Sequence, residues 1–242
     1  MKVAVLGAQG RMGSVVCKAI EASDDLELIA QLDVHNNISE LSDLQVDVIV
    51  DFTTPDVVME HISYALQTST HIVVGTSGFT SEKLHSIETE AQRKPEVGVL
   101  IVPNFSLGAI LLAKLAKKAA PYFESVEIIE LHHERKLDAP SQTARFTAEE
   151  IATSREGKVN PDATRGSKEA RGLEVAGIPI HSIRLPGLFA HEEIIFGNAG
   201  EILTLRHDST DRLAYMPGVL SAIREIPHHP GFHVGLDSIL DL

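Results

Sequence analysis

Hydrophobic and polar positions fall into two regimes along this chain. Up to about residue 105, short and nearly unbroken apolar runs recur at Lys2–Leu6, Leu26–Leu32, Val46–Phe52, Ile72–Val74 and Val97–Val102. Runs of this length, rich in Val and Ile, suit strands buried on both faces of a parallel sheet. Ser14–Ile20 and Val57–Leu66 lie between them with helical spacing, and Pro55 suits a first helical turn. Asn36–Leu44 breaks the alternation and predicts a short connection. Beyond residue 105 the pattern changes. Ser106–Ala120 is rich in small residues and helical, and Val126–Leu131 predicts a strand that delivers His132 and His133. Residues 154–176, rich in Lys, Arg, Glu and Gly with little periodicity, predict a loop. Ile178–Leu185, Glu192–Phe196 and Glu201–Asp208 predict strands of a mostly antiparallel or mixed sheet, and Met216–Ile226 returns to helix.

Glycine placement gives the first half a chemistry. Lys2–Leu6 runs directly into Gly7-Ala-Gln-Gly-Arg-Met-Gly13, and a helix follows. In such a strand–turn–helix, Gly7 permits the tight turn, Gly10 the close approach of a pyrophosphate, and Gly13 close helix packing. Free N–H groups at the helix start complete a phosphate site. Gly7, Gln9, Gly10, Arg11, Met12 and Gly13 are therefore candidate dinucleotide contacts. Asp33 ends the second strand about twenty residues beyond Gly13, where an acid hydrogen-bonds the adenosine ribose. Asp33 leans towards NADH, while nearby Arg11 leaves NADPH open. Further turns follow later strands at Phe52, at Gly75-Thr76-Ser77 and at Pro103-Asn104-Phe105, and are expected around the nicotinamide. The expected architecture is α/β. A Rossmann-type nucleotide-binding domain (1–105) precedes an α+β domain with a mixed sheet for substrate binding and oligomerisation (106–215). A C-terminal segment (216–242) returns to the first domain. Cofactor and substrate are expected in an interdomain cleft.

The candidate chemistry lies in Glu130-Leu-His-His-Glu-Arg-Lys-Leu-Asp-Ala-Pro-Ser-Gln-Thr-Ala144. A histidine can donate a proton near neutral pH, a lysine can hold a developing anion, and a helix start can hold a carboxylate. His132 and Lys136 are the candidate catalytic residues; His133, Ser141, Gln142 and Thr143 are the candidate substrate contacts. Ser141 or Thr143 is expected to cap the helix that runs through Glu149 and Ile151. No third ligand stands at metal spacing from the paired histidines, so no metal site is expected.

Composition narrows the partners. Thirty-four acids against twenty-one Lys and Arg give a net charge of −13, which disfavours nucleic acid and anionic membranes. No basic segment leads into a long apolar run, so neither a signal peptide nor a membrane span is expected. Cys17 is the only cysteine, which excludes an intrachain disulfide and fits a cytoplasmic location. Its place in the first helix suits core packing, since a nucleophile would need a lowered pKa.

The chain resembles the 4-hydroxy-tetrahydrodipicolinate reductase (dihydrodipicolinate reductase) family of lysine and diaminopimelate biosynthesis over essentially its whole length. The likeness rests on Gly7–Gly13, Gly75-Thr-Ser-Gly78, Val102–Phe105, Glu130–His133, Lys136–Ser141 and Gly177–Arg184. It implies hydride transfer from NADH or NADPH to a small cyclic dicarboxylate, with the substrate-domain sheet assembling a homotetramer. His132 matches the family's general acid, His133 a substrate-contacting neighbour and Lys136 the lysine that stabilises the substrate. Ser141 and Thr143 match the carboxylate-binding turn, and Asp33 the ribose-binding acid. One departure stands out: Gln142 occupies a family glycine. Its side chain either points outward or narrows the pocket, weakening carboxylate binding or admitting a different cyclic imine or unsaturated acid. A catalytically silent nicotinamide-binding scaffold is the remaining alternative.

Overall fold

The computed structural model describes residues 1–241; the last residue of the C-terminal segment, Leu242, lies outside them. The chain folds into two units, one of Met1–Ser106 with the C-terminal segment from Tyr215, the other of Leu107–Ala214.

The first unit is built on β1 (Lys2–Leu6), β2 (Glu27–Leu32), β3 (Val48–Asp51), β4 (His71–Val74) and β5 (Gly98–Ile101). Its helices are α1 (Gly13–Glu21), α2 (Val58–Gln67) and α3 (Ser81–Ala91). All strands pair in parallel, and the sheet order is β2-β1-β3-β4-β5 with one further strand beyond β5. The central strands are buried on both faces, which explains their unbroken apolar runs. After β1 the chain goes to one side for β2 and to the other for β3. The carboxyl ends of β1 and β3 thus form a topological switch point, where open α/β sheets bind ligands.

The second unit begins with α4 (Leu107–Ala119) and β6 (Ser125–His132), followed by α5 (Gln142–Ser154). The strands β7 (Leu173–Val175), β8 (Ile178–Arg184), β9 (Ala190–Asn198) and β10 (Glu201–Ser209) complete it. The sheet order is β10-β9-β6-β8-β7, antiparallel except for the β6–β8 pair, hence mixed. One face packs Val126, Ile128, Ile180, Ile194 and Phe196 against Leu112 and Ala116 of α4 and Ala144, Ala148 and Ile151 of α5.

Several elements differ from the sequence pattern. Residues 154–176 are not a plain loop: a 3₁₀ turn at Lys168–Arg171 and β7 lie within them. Asn160 ties the stretch to β6, accepting from the Val126 N–H at 3.1 Å and donating to its carbonyl at 2.6 Å. A side chain thus supplies order that no periodicity announces. The connection at 36–44 contains a 3₁₀ turn, Ile38–Leu41, held by a reciprocal Asn37–Glu40 capping box. Pro55 precedes α2 rather than opening it, in a turn that ends at Val57.

The chain returns to the first unit through α6 (Met216–Glu225) and β11 (Gly231–Val234), which adds to β5 in parallel. Arg224 of α6 forms a paired bridge to Asp25, both contacts at 2.8 Å. Gly218 lets α6 approach closely, since a Cβ there would lie 2.0 Å from the Phe105 carbonyl oxygen. Gly218→Ala should therefore destabilise the protein by about 1–3 kcal/mol. A melting temperature lower by roughly 5 °C is expected, whereas Gly166→Ala, with nothing within 4 Å of the new methyl, leaves it unchanged.

Candidate active site

The dinucleotide candidates gather at the switch point. Leu6, Gly7, Gly10, Leu32, Asp33, Phe52 and Thr53 are among the residues lining a cavity of about 400 Å³ at the ends of β1, β2 and β3. Gly7 has φ +73°, and a Cβ on Gly13 would lie 2.1 Å from the Gly7 carbonyl oxygen. Only glycine permits this turn to sit so close to α1. Gln9 and Arg11 are exposed on the turn, and Met12 is the residue before α1. Asp33 accepts from the Val34 N–H at 2.7 Å, and its own N–H donates to Asn36 Oδ1 at 3.0 Å.

A second group forms beside this cavity. The Phe52 and Phe105 rings are 5.5 Å apart, tilted at 48°. Gly75 packs against them, since a Cβ there would meet the Phe52 ring at 2.2 Å. Thr76 is buried and donates to Asp51 Oδ1 at 2.9 Å, while Ser77 and Pro103 are exposed. Asn104 accepts from the Ser106 N–H at 2.9 Å. Asp51 itself is fully buried at the end of β3. It also accepts from Thr53 N–H and Oγ1 at 2.8 and 2.6 Å, and its Oδ2 lies 2.6 Å from His61 Nδ1. His61 lines the cavity, so Asp51 braces both the turn and the cavity wall. Sequence reasoning assigned neither residue a role, although an acid closing an apolar strand is a visible signal. Cys17 is buried, and desolvation pushes its thiol up to about 11, so it is an inert packing residue.

The second unit brings His132, His133, Lys136, Ser141, Gln142 and Thr143 to one end of its mixed sheet. β6 alternates strictly, so Val126, Ile128 and Glu130 all face the helices. Glu130 is therefore a fully buried carboxylate at the end of an apolar row. Four residues compensate it. Arg184 approaches with two nitrogens, each at 2.8 Å; His132 Nδ1 lies at 2.5 Å; and the Ser141 N–H donates at 3.1 Å. Burial pushes its pKa up, but the hydrogen bonds from His132, Arg184 and Ser182 outweigh it and hold the carboxyl down at about 2. An ionised carboxylate only accepts, so Nδ1 of His132 carries the hydrogen and Nε2 is left for other chemistry.

Glu130 also shapes the turn that carries Lys136. Arg184 donates to the Asp138 carbonyl at 2.7 Å, and Ser141 caps α5 by accepting from the Ala144 N–H at 3.2 Å. Of the two candidate caps, Ser141 is the one in place, and Thr143 lies inside the first turn. Lys136 Nζ pairs with Asp138 Oδ1 at 2.8 Å. Burial raises the Asp138 pKa, yet Lys136 and the Gln142 N–H outweigh it and hold it below the usual range. Gln142 is the first residue of α5 and its side chain is exposed. His133 lies just beyond the strand, with Nδ1 buried and unpartnered. Among the described residues no cluster of three or more His, Cys, Asp or Glu side chains could hold a metal ion.

The profile for dihydrodipicolinate reductase, N-terminus, matches residues 1–105, and that for its C-terminus matches 108–240. The chain belongs to the dihydrodipicolinate reductase family. Across 244 aligned residues it is 49% identical to the 4-hydroxy-tetrahydrodipicolinate reductase of Mycolicibacterium gilvum and 50% identical to that of Mycolicibacterium smegmatis, covering all of each chain. Dipicolinate-bound dihydrodipicolinate reductase from Paenisporosarcina sp. TG-14 superposes with a TM-score of 0.90 at 37% identity, over 99% of both chains. A probable dehydrogenase from Thermotoga maritima shares the fold with a TM-score of 0.65 at 12% identity. The α/β class read from the sequence, a Rossmann-like parallel sheet followed by a mixed one, agrees with this family's fold.

Breaking the buried pair should be costly. Glu130→Gln is expected to lower stability by about 3–5 kcal/mol, because Arg184 is left without its counter-charge. Since folding depresses the Glu130 pKa, its contribution is present above the ordinary carboxylate range and lost as pH falls towards about 2. Urea unfolding of wild type should thus weaken between roughly pH 4.5 and 2 by a component missing in Glu130→Gln.

Proposed function

We propose that the protein reduces 4-hydroxy-tetrahydrodipicolinate to tetrahydrodipicolinate with NADH or NADPH, in lysine and diaminopimelate biosynthesis. The observation that carries this reading is His132 held by the buried, ionised Glu130 beside the Lys136 turn and the start of α5. Relatives about half identical over their full length bear the name of that reductase, and one relative of similar fold binds dipicolinate, a cyclic dicarboxylate.

Gly7, Gly10 and Gly13 supply the tight turn a dinucleotide needs, one that a Cβ at Gly13 would push away from α1 by striking the Gly7 carbonyl. The turn from Gly7 to Gly13, including Gln9, Arg11 and Met12, holds the pyrophosphate. Asp33 accepts from the ribose hydroxyls, while Arg11 offsets the charge of a 2′-phosphate, so both cofactors are admitted. Phe52, Gly75, Thr76, Ser77, Pro103, Asn104 and Phe105 shape the nicotinamide end. A bound reduced nicotinamide supplies the hydride.

The remaining chemistry belongs to the second unit. Lys136 balances the negative charge that builds up as the substrate is reduced, and His132, with both ring nitrogens protonated, gives up its Nε2 proton to quench it, leaving a neutral ring with its hydrogen on Nδ1. Glu130 keeps that nitrogen aimed and its partner nitrogen occupied. Ser141, Gln142 and Thr143 present the N-terminal turn of α5 to a substrate carboxylate, with His133 contributing a further polar edge. Lys136 is paired with Asp138, so binding of the substrate exchanges one carboxylate for another. The exposed Gln142 side chain favours the outward-pointing reading and hence the family's reaction.

No helix among the described residues is long and apolar enough to cross a membrane. We place the protein in the cytoplasm, where reduced nicotinamides are supplied, and expect a homotetramer assembled through the sheet face that α4 and α5 leave open.

Oxidation of NADH or NADPH by freshly generated substrate tests the assignment. His132→Gln should lower kcat by about 10²–10⁴ while leaving cofactor affinity near wild type. Lys136→Ala should lower kcat and raise KM. Gln142→Gly should change kcat/KM by about twofold at most, as an exposed side chain implies. Activity in Gln142→Gly alone would favour a different substrate, and inactivity of both proteins despite cofactor binding would refute the reading.

A further inference from the structure

The helix-covered face of the mixed sheet ends in a polar row. His207 of β10 lies opposite Glu192 of β9, Glu192 opposite Glu130 of β6, and Glu130 beside Ser182 of β8. Side chains directly opposite in an antiparallel pair have Cβ atoms about 5 Å apart. Glu130 and Glu192 are both buried, 0% and 5% exposed.

We propose that Glu192 is a positioning residue for the reduction, a carboxyl held in its acid form against Glu130, whose ionisation sets the alkaline limit of dicarboxylate binding. The inference rests on the reaction assigned above.

Two carboxylates sharing a buried site do not both ionise; the one with the cations keeps the charge. Glu130 has them. Arg184 Nη1 and Nη2 both point at it, with their remaining contacts on the Ile183 and Asp138 carbonyls. Glu192 Oε1 has no hydrogen-bond partner. Beside burial, the groups that act on it among the described residues are Thr147 and Glu130. The buried positions of α4 are Ala109, Leu112, Ala113 and Ala116, and those of α5 are Ala144, Thr147, Ala148 and Ile151. On β10, burial pushes His207 towards its neutral form. Thr147 Oγ1 is within hydrogen-bond reach of both Glu192 and the Thr143 carbonyl, 3.0 Å away, and has one hydrogen to give. When that hydrogen goes to Thr143, the hydroxyl offers Glu192 a lone pair, which an acid hydrogen fills. Burial raises the Glu192 carboxyl to about 7, Glu130's charge adds to the rise, and Thr147 opposes it only by giving up Thr143.

Loss of that proton puts a second anion in the row and draws Arg184 away from Glu130. Glu130 holds His132 and the Ser141 N–H, and Arg184 holds the Asp138 carbonyl, so the substrate-facing turn loosens as its field becomes more negative. A dianionic ligand is disfavoured on both counts.

The test uses full-length protein saturated with NADH and titrated with dipicolinate as a non-reacting dicarboxylate, its Kd measured by calorimetry from pH 6 to 9. Wild type should lose about tenfold in affinity across this range, and Glu192→Gln should keep the acid-side affinity throughout. Carbon-13 glutamate spectra of the same two proteins should differ by one carboxyl titrating near neutral pH. A wild-type Kd that stays flat, an equal loss in Glu192→Gln, or a Glu192 carboxyl titrating below about pH 5 would overturn the proposal. None of these readouts needs turnover, so failure of the assigned reaction shows separately in the absence of nicotinamide oxidation.

Discussion

The second unit is organised around one buried carboxylate. Glu130 sits where an apolar strand face would otherwise continue, and its desolvation is tolerated because Arg184, His132 and the Ser141 N–H converge on it. A charge in such a place is poor evidence of stability for its own sake, since a well-packed apolar residue would serve as well. It is explained by what it fixes: the orientation of an imidazole, the start of α5, and through Arg184 the backbone at Asp138. Three parts of the site, each on a different segment, are referred to one point.

The first unit solves a different problem with backbone rather than charge. Its glycines bring the end of β1 close to α1, and Asp51 ties Thr53 and Thr76, the residues that follow β3 and β4, to His61. These constraints leave a cavity at the point where the strand order reverses. The two units thus differ in kind: the parallel sheet presents backbone turns, and the mixed sheet presents titratable side chains.

Much of this was legible in the sequence, because the signals were local. The apolar run Lys2–Leu6 followed by Gly7–Gly13 announces strand, turn and helix within a dozen or so residues, and Glu130–Ala144 carries its functional groups side by side. Long-range features were not legible. Arg184 pairs with Glu130 across 54 positions, and no spacing rule connects them. Glu192 looks like one of two surface acids until the register places it opposite Glu130. α3, whose exposed face is largely polar, and β11, only four residues long, were too weakly patterned to be expected. β7 is stabilised by pairing with β8 within a charged stretch, where tertiary contacts override composition.

Glu130 dictates which nitrogen of His132 carries the ring hydrogen. A nitrogen-15 spectrum of the His132 imidazole in the wild-type protein tests it without substrate. In the neutral ring, Nδ1 should carry the hydrogen and Nε2 should be bare. A neutral ring protonated at Nε2 would contradict the account.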